Sequence, residues 1–330
     1  MYDTAINLIG DAKKIIVIQA PNPDGDSLGS SIALEEILSD LGKKVILYCP
    51  IDIPKYMHYI TGWDRVVADF DTTADLAIIV DTASEVLISR TLNTPGVRSY
   101  LESHPVLVID HHTTASDLTF SHEMLSTEVV ATSHVIYDLS TAAGWTINER
   151  AAENLMIALM SDSLGLTTQN VSAETYEVAA ALHKLGARNH VIEERRREYM
   201  KKAPEILAYK GELIGRIEYF VDGKLAVIHI PWEDIQQYSD QYNPSVLVLD
   251  EMRLVEGVEI AVAIKTYPDG RLTGKLRSNT PVSEKVAGFF GGGGHQYSAG
   301  FRVYESYDTI VRELIEATDK ALKDYDNQAV

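Results

Sequence analysis

Four short apolar runs separated by helix-forming stretches limit what this chain can fold into. They are Lys13–Ala20 (KKIIVIQA), Lys43–Cys49 (KKVILYC), Leu76–Thr82 (LAIIVDT) and Val106–His112 (VLVIDHH). Each is continuous and rich in β-branched residues, rather than alternating apolar with polar. Such runs are strands buried on both faces, so a parallel sheet covered by helices is expected. Between the first two runs, Ile32, Ala33, Ile37, Leu38 and Leu41 recur at helical spacing from Ser30, and Gly42 suits the end of that helix. In sheets of this kind ligands bind beyond the carboxyl ends of the strands. The polar residues fall there. Asp24 and Asp26 follow the first run, Asp81 ends the third, and Asp110, His111 and His112 end the fourth.

The rest of the chain changes character twice. Helices are expected over residues 151–161, 173–185 and 191–202, and Pro204 closes this region. The stretch EERRREYMKK (Glu193–Lys202) reads as a solvated helix face. Beyond it, Leu213–Val221 and Leu225–Ile230 are expected to pair around Asp222-Gly223. Val258–Tyr267 and Leu272–Arg277 should do the same around Asp269-Gly270. Ser298–Val303 reads as a further strand and Thr309–Leu322 as an amphipathic helix. The domains expected are therefore α/β over residues 1–186, a helical linker over 187–204, and a smaller α+β domain of mostly antiparallel strands over 205–330.

Composition narrows the function classes. The 330 residues are 45% hydrophobic, yet no apolar run approaches the roughly 20 residues that span a bilayer, so no membrane partner is expected. The N-terminus carries Asp3 and Asp11 around a short apolar stretch, which argues against a secretory signal. Cys49 is the only cysteine, which rules out an intrachain disulfide and thiol-rich zinc sites. A cytoplasmic location is the expectation that follows. The net charge of −19 speaks against wrapping long nucleic acid. It is compatible with a short phosphorylated substrate, because bound divalent cations reverse the local field.

Singly, each acid has an ordinary explanation. Asp24-Gly25-Asp26 is good turn chemistry. Asp81 and Asp162 (in MSDSLG) suit caps or turns. Their joint placement at strand and helix ends is not explained that way. Carboxylates with imidazoles suit Mn²⁺ or Mg²⁺. A pair of such ions can bind a phosphate oxygen, acidify a water and stabilise a leaving oxygen.

NPDGD (Asn22–Asp26), VDT (Val80–Thr82), DHH (Asp110–His112) and SDS (Ser161–Ser163) resemble the four motifs of the DHH phosphoesterases. GGGGH (Gly291–His295), followed by Ser298-Ala299-Gly300, is similar to the signature of the DHH-associated C-terminal domain. Lys275-Leu276-Arg277-Ser278 resembles the basic strand preceding it. Length and domain number are most similar to the nanoRNase/pAp phosphatase group, which is related to RecJ exonuclease but shorter. The resemblance implies that Asp24 and Asp81 hold a first Mn²⁺ (or Mg²⁺), and that Asp26, Asp81, His111 and Asp162 hold a second. His112 would lie beside the scissile phosphate, oriented with His111 by Asp110. Arg277, Ser278, Gly292, Gly293, Gly294 and His295 would grip substrate from the second domain, across a cleft. The glycine run would offer an anion-binding nest.

The family's first motif usually opens with a metal-ligand histidine four residues before its first aspartate. Here that position is Ala20, between Gln19 and Pro21. The first site is therefore expected to be weaker, water-filled, or empty until substrate arrives. Gln19 would supply an oxygen only if the strand register shifted. The expected function is hydrolysis of short oligonucleotides or 3′-phosphoadenosine 5′-phosphate. The alternatives are a cyclic dinucleotide phosphodiesterase or pyrophosphatase, and a nucleotide-binding regulator with weakened catalysis. The sequence leaves homodimerisation open.

Overall fold

The computed structural model describes residues 2–112, 115–239 and 242–328, which divide after Lys201 into two compact units. The first is built on a six-stranded parallel sheet of order β3-β2-β1-β4-β5-β6. Its strands are β1 (Lys14–Ile18), β2 (Lys44–Tyr48), β3 (Val66–Val67), β4 (Leu76–Val80), β5 (Val106–Asp110) and β6 (Glu123–Ser126). The four apolar runs supply the four central strands. The edge strands β3 and β6 escape a reading by apolar pattern, because VV and EMLS are too short and too mixed to stand out.

Side-chain alternation along β1 splits the first core in two. Ile15 and Val17 pack under α2 (Gly25–Asp40), α5 (Thr132–Ala143) and α6 (Glu149–Asp162), whereas Ile16 and Ile18 face the core shared with α4 (Val97–Ser103). α1 (Asp3–Asp11), the short α3 (Ser89–Leu92), α7 (Ala173–Lys184) and α8 (Asn189–Tyr199) complete the unit. The helix expected as a linker, α8, belongs here, with Ile192 buried in the first core.

α2 starts at Gly25, five positions earlier than the apolar spacing indicates. Asp24 caps it: its Oδ1 accepts from the Ser27 N–H, and Ser27 Oγ accepts from the Asp24 N–H. Gly25 and Gly29 disguise this start as loop, but close packing requires them. A Cβ on Gly25 would meet Ser161 Oγ at 2.3 Å, and one on Gly29 would meet the Asn154 carbonyl at 2.8 Å. The start of α2 thus lies directly against the end of α6. Ile32 is fully buried in this packing, and its truncation to Ala would cost about 2–5 kcal/mol.

The second unit begins with α9 (Pro204–Ile214), so Leu213 lies in a helix and not in the expected strand. Only β7 (Glu218–Phe220) pairs with β8 (Leu225–Ile230). Next come α10 (Trp232–Tyr238), α11 (Pro244–Arg253), β9 (Ile260–Thr266), β10 (Leu272–Ser278), α12 (Ser283–Phe289), β11 (Gly293–His295), β12 (Ser298–Val303) and α13 (Tyr307–Gln328). The sheet order is β11-β12-β10-β9-β8-β7. All pairs are antiparallel except β8 with β9, which lie parallel because α10 and α11 cross over between them. No helix among the described residues is long and apolar enough to cross a membrane.

Candidate metal centre

Two strand ends, the start of α2 and the end of α6 bring four of the expected residues together. His111 Nε2 lies 3.2 Å from Asp162 Oδ2, 3.6 Å from Asp81 Oδ1 and 3.8 Å from Asp26 Oδ2. Asp26, His111 and Asp162 form one group able to share an ion, and Asp81, His111 and His112 form another. Asp24 lies outside both groups, with its carboxylate engaged in capping α2.

Each side chain is set by local structure. Asp26 sits in the first turn of α2 and is completely buried. It also closes the N-terminus of α5: Oδ2 accepts from the Thr132 N–H at 2.7 Å and Oδ1 from the Ser133 N–H at 3.2 Å. Asp81 follows β4 with a φ of 65°, a left-handed conformation that Asp tolerates better than most residues. Its Oδ1 accepts from Thr132 Oγ1 at 2.9 Å. Asp162 ends α6, where the helix dipole disfavours an acid. A cation near Asp162 would offset that unfavourable placement.

The imidazoles are aimed by their other nitrogens. His111 Nδ1 donates to the Val129 carbonyl at 3.1 Å, which turns Nε2 toward the carboxylates. His112 Nδ1 donates to Asp110 Oδ1 at 2.7 Å, and the same oxygen accepts from the His111 and His112 N–H groups. Asp110 is buried and the His112 side chain is 42% exposed, so His112 Nε2 is left toward solvent. The hydrogen bonds from His112 outweigh burial and hold the Asp110 carboxyl below its usual range.

Protonation shows how crowded the acids are. Burial, then the charge of Asp162, pushes Asp26 up to about 7. Burial and the charges of Asp26, Asp24 and Asp162 drive Asp81 well above the carboxylate range. Burial would lower His111, but the close approach of Asp162 and the charge of Asp26 raise it to about 9. A proton on His111 is the nearest substitute for a cation that these groups have. His111 Nε2 is buried and makes no hydrogen bond of good geometry among the described residues. An orphan nitrogen within 4 Å of three carboxylates fits a divalent ion with oxygen and imidazole ligands. Asp26, Asp81, His111 and Asp162 are the residues that would hold it.

Thr132 is the functional residue that sequence reasoning missed. It grips Asp26 through its N–H and Asp81 through its hydroxyl. Thr132-Ser133 before an amphipathic run signals a helix start, but nothing local says which carboxylates that start meets.

The expected substrate-binding residues divide differently. Arg277 alternates with buried positions of β10 and shares a face with Lys275, while Lys265 on β9 pairs with Thr273. Burial, then the charge of Lys275, lowers Lys265 to about 8, and burial plus Arg277 lowers Lys275. Ser278 does not belong with them. It is 1% exposed and faces inward, its Oγ donating to the Gln296 carbonyl and accepting from Ser283 Oγ at 2.8 Å. The glycine run is not a free nest either. The N–H groups of Gly291 and Gly292 donate to Gly288 and Ala287, and Gly293, Gly294 and His295 pair with β12. Gly292 is required by contact, since a Cβ there would meet the Gly300 carbonyl at 2.2 Å. The side chain of His295 lies outside the described residues.

A family model described as "DHH family, N-terminal domain" matches residues 14–160. A Thermus thermophilus protein named "Bifunctional oligoribonuclease and PAP phosphatase NrnA" is 26% identical, covering 91% of this chain and 89% of its own length. A "Probable manganese-dependent inorganic pyrophosphatase" from Enterococcus faecalis is 25% identical over 51% of this chain and 54% of its own length. A solved exopolyphosphatase-related protein from Bacteroides fragilis shares the fold, with a TM-score of 0.83 at 21% identity over 98% of this chain and 96% of its own.

Proposed function

We propose that this chain, whose residues 14–160 match the DHH family N-terminal domain, hydrolyses phosphate esters of short oligoribonucleotides and of 3′-phosphoadenosine 5′-phosphate. The observation that carries this reading is the cluster of Asp26, Asp81 and Asp162 around the orphan Nε2 of His111. The relative named as an oligoribonuclease and PAP phosphatase supports the choice of substrates. Mn²⁺ is the favoured ion, with Mg²⁺ an acceptable substitute, given the donor set and the manganese-dependent relative. Bound divalent ions would supply Lewis-acid polarisation of the phosphate and acidify a water.

The chain's own residues do the rest. Thr132 and the N-terminus of α5 fix Asp26 and Asp81, so the ligand oxygens need no reorganisation. Asp110 holds the His112 Nδ1 proton, which leaves a lone pair on Nε2 that would take a proton from the attacking water and then return it to the departing sugar oxygen. In the second unit Lys265, Lys275 and Arg277 offer a local cationic strip on a strongly acidic protein, which suits one or two phosphates and not a long backbone.

Purified protein should be assayed against a labelled dinucleotide, a longer oligomer, adenosine bisphosphate, a cyclic dinucleotide and pyrophosphate. We expect Mn²⁺-dependent release of mononucleotide from the dinucleotide and of phosphate from the bisphosphate, abolished by chelation. Turnover confined to pyrophosphate or a cyclic dinucleotide, or nucleotide binding without turnover, overturns this assignment.

A further inference from the structure

Gln19 is a buried polar residue at the carboxyl end of the central strand β1. It is 0% exposed, and both its amide oxygen and its amide nitrogen are buried with no hydrogen-bond partner among the described residues. A buried amide left unbonded is destabilising. Its main chain is ordinary: the Gln19 N–H donates to the Tyr48 carbonyl at 3.0 Å and extends the β1–β2 ladder by one step.

Register locates the side chain. Ile18 pairs with Ile79, so Gln19 lies beside Val80, the residue immediately before Asp81. Ile15 and Val17 face the core under α2, α5 and α6, and alternation puts Gln19 on that same face, one residue past the last strand position. Val80 and Ile109, the last residues of that face on the neighbouring strands, belong to the same core. From α2 and α6 on that side come Asp26 and Asp162. No slip of register is needed to point Gln19 toward them. The next side chain, Ala20, has no donor atom.

We propose that Gln19 is a metal ligand, its carboxamide oxygen joining Asp81 in holding a divalent cation at the end of β1. The inference rests on the phosphoesterase reading above, because it takes the acid cluster to be a cation site. A neutral oxygen suits this position. The four neighbouring acids, Asp24, Asp26, Asp81 and Asp162, already repel one another, and a fifth carboxylate would add to that repulsion. Carboxamide oxygens are ordinary ligands for hard cations.

Two variants with opposite expected signs test it, read by Mn²⁺ titration calorimetry and by thermal melts with and without Mn²⁺. Gln19→Leu keeps the volume and removes both amide atoms. It should weaken the Mn²⁺ site it serves about 10-fold or more, change any other site by less than 2-fold, and raise the melting temperature of the chelated protein. Gln19→Glu should tighten Mn²⁺ binding and lower the melting temperature of the chelated protein, with Mn²⁺ restoring it. Unchanged Mn²⁺ affinities in both variants overturn the proposal, as does a Gln19→Leu protein that is less stable in chelator, since the amide would then be bonded within the protein or to buried water. If the unaltered protein binds no Mn²⁺ at all, the cation-site reading itself has failed, and that result is distinct from either variant outcome.

Discussion

Both units gather like charges on a sheet, and they resolve the conflict differently. In the first, carboxylates from the end of β4, the start of α2 and the end of α6 meet an imidazole that follows β5. There the N-terminus of α5 supplies donors to Asp26, and the remaining crowding pushes the pKa values of Asp26 and His111 up. In the second, Lys265, Lys275 and Arg277 lie on the face of antiparallel strands, partly buried, and none forms a salt bridge with a carboxylate among the described residues. Arg277 instead donates to the Leu276 carbonyl and to Ser298. Burying charge without an opposite charge is costly, so each cluster has the form of half an interaction. The acids of the first suit a cation, and the bases of the second suit an anion.

The sharpest way to break this contrast is to neutralise one acid. Asp81→Asn should lower turnover by at least ~100-fold, because a shared ligand is lost. The same change should raise the melting temperature of the chelated protein by relieving repulsion, a trade of stability against activity. A melting temperature that drops in chelator would show that Asp81 is a structural acid and not part of a cation site.

Thr132→Val comes next. Its hydroxyl only positions Asp81, so a loss of ~10–100-fold in Mn²⁺ affinity or rate is expected. Activity at the unaltered level in Mn²⁺ titrations would remove Thr132 from the site.

The second cluster should respond in substrate affinity and not in metal content. Arg277→Ala should raise KM for adenosine bisphosphate by ~10-fold through one lost charge-assisted contact. Metal content by elemental analysis should stay constant. An unchanged KM, or a fall in bound metal, would dissolve the division of labour between the two clusters.

The smallest effect is on stability and pH. Asp26 titrates at about 7 in the folded chain against an ordinary 3.8. Its contribution is complete below about 4 and is lost as pH rises toward 7. His111, at about 9 against 6.5, contributes below 6.5 and loses that contribution between 6.5 and 9. Both act in the same direction, so the chelated protein should melt at progressively lower temperature from pH 5 to pH 9. Saturating Mn²⁺ should flatten that slope. A chelated protein equally stable across the range would mean that the acids are far better solvated than their burial indicates.

How much of this was legible in the sequence depends on whether the cause was local. Continuous β-branched runs can only be strands covered on both faces, so the parallel sheet followed from composition along the chain. The acids and imidazoles at the strand ends were recognisable as a set because strand ends are where such a sheet presents its side chains. The start of α2 was obscured by Gly25 and Gly29, whose purpose is contact with α6, more than 120 residues away in sequence. Ser278 and Arg277 are adjacent in sequence, yet period-two alternation sends one inward and the other outward. Lys265 joins Lys275 only because β9 and β10 pair in one particular register. Thr132 meets Asp26 and Asp81 across 106 and 51 residues, and Gln19 is an orphan only once every neighbour has found another partner. Periodicity and strand-end chemistry are properties of a segment and can be read from it. Which hydroxyl reaches which carboxylate, and which amide is left without a partner, depend on packing between distant segments, and that was fixed only when the chain folded.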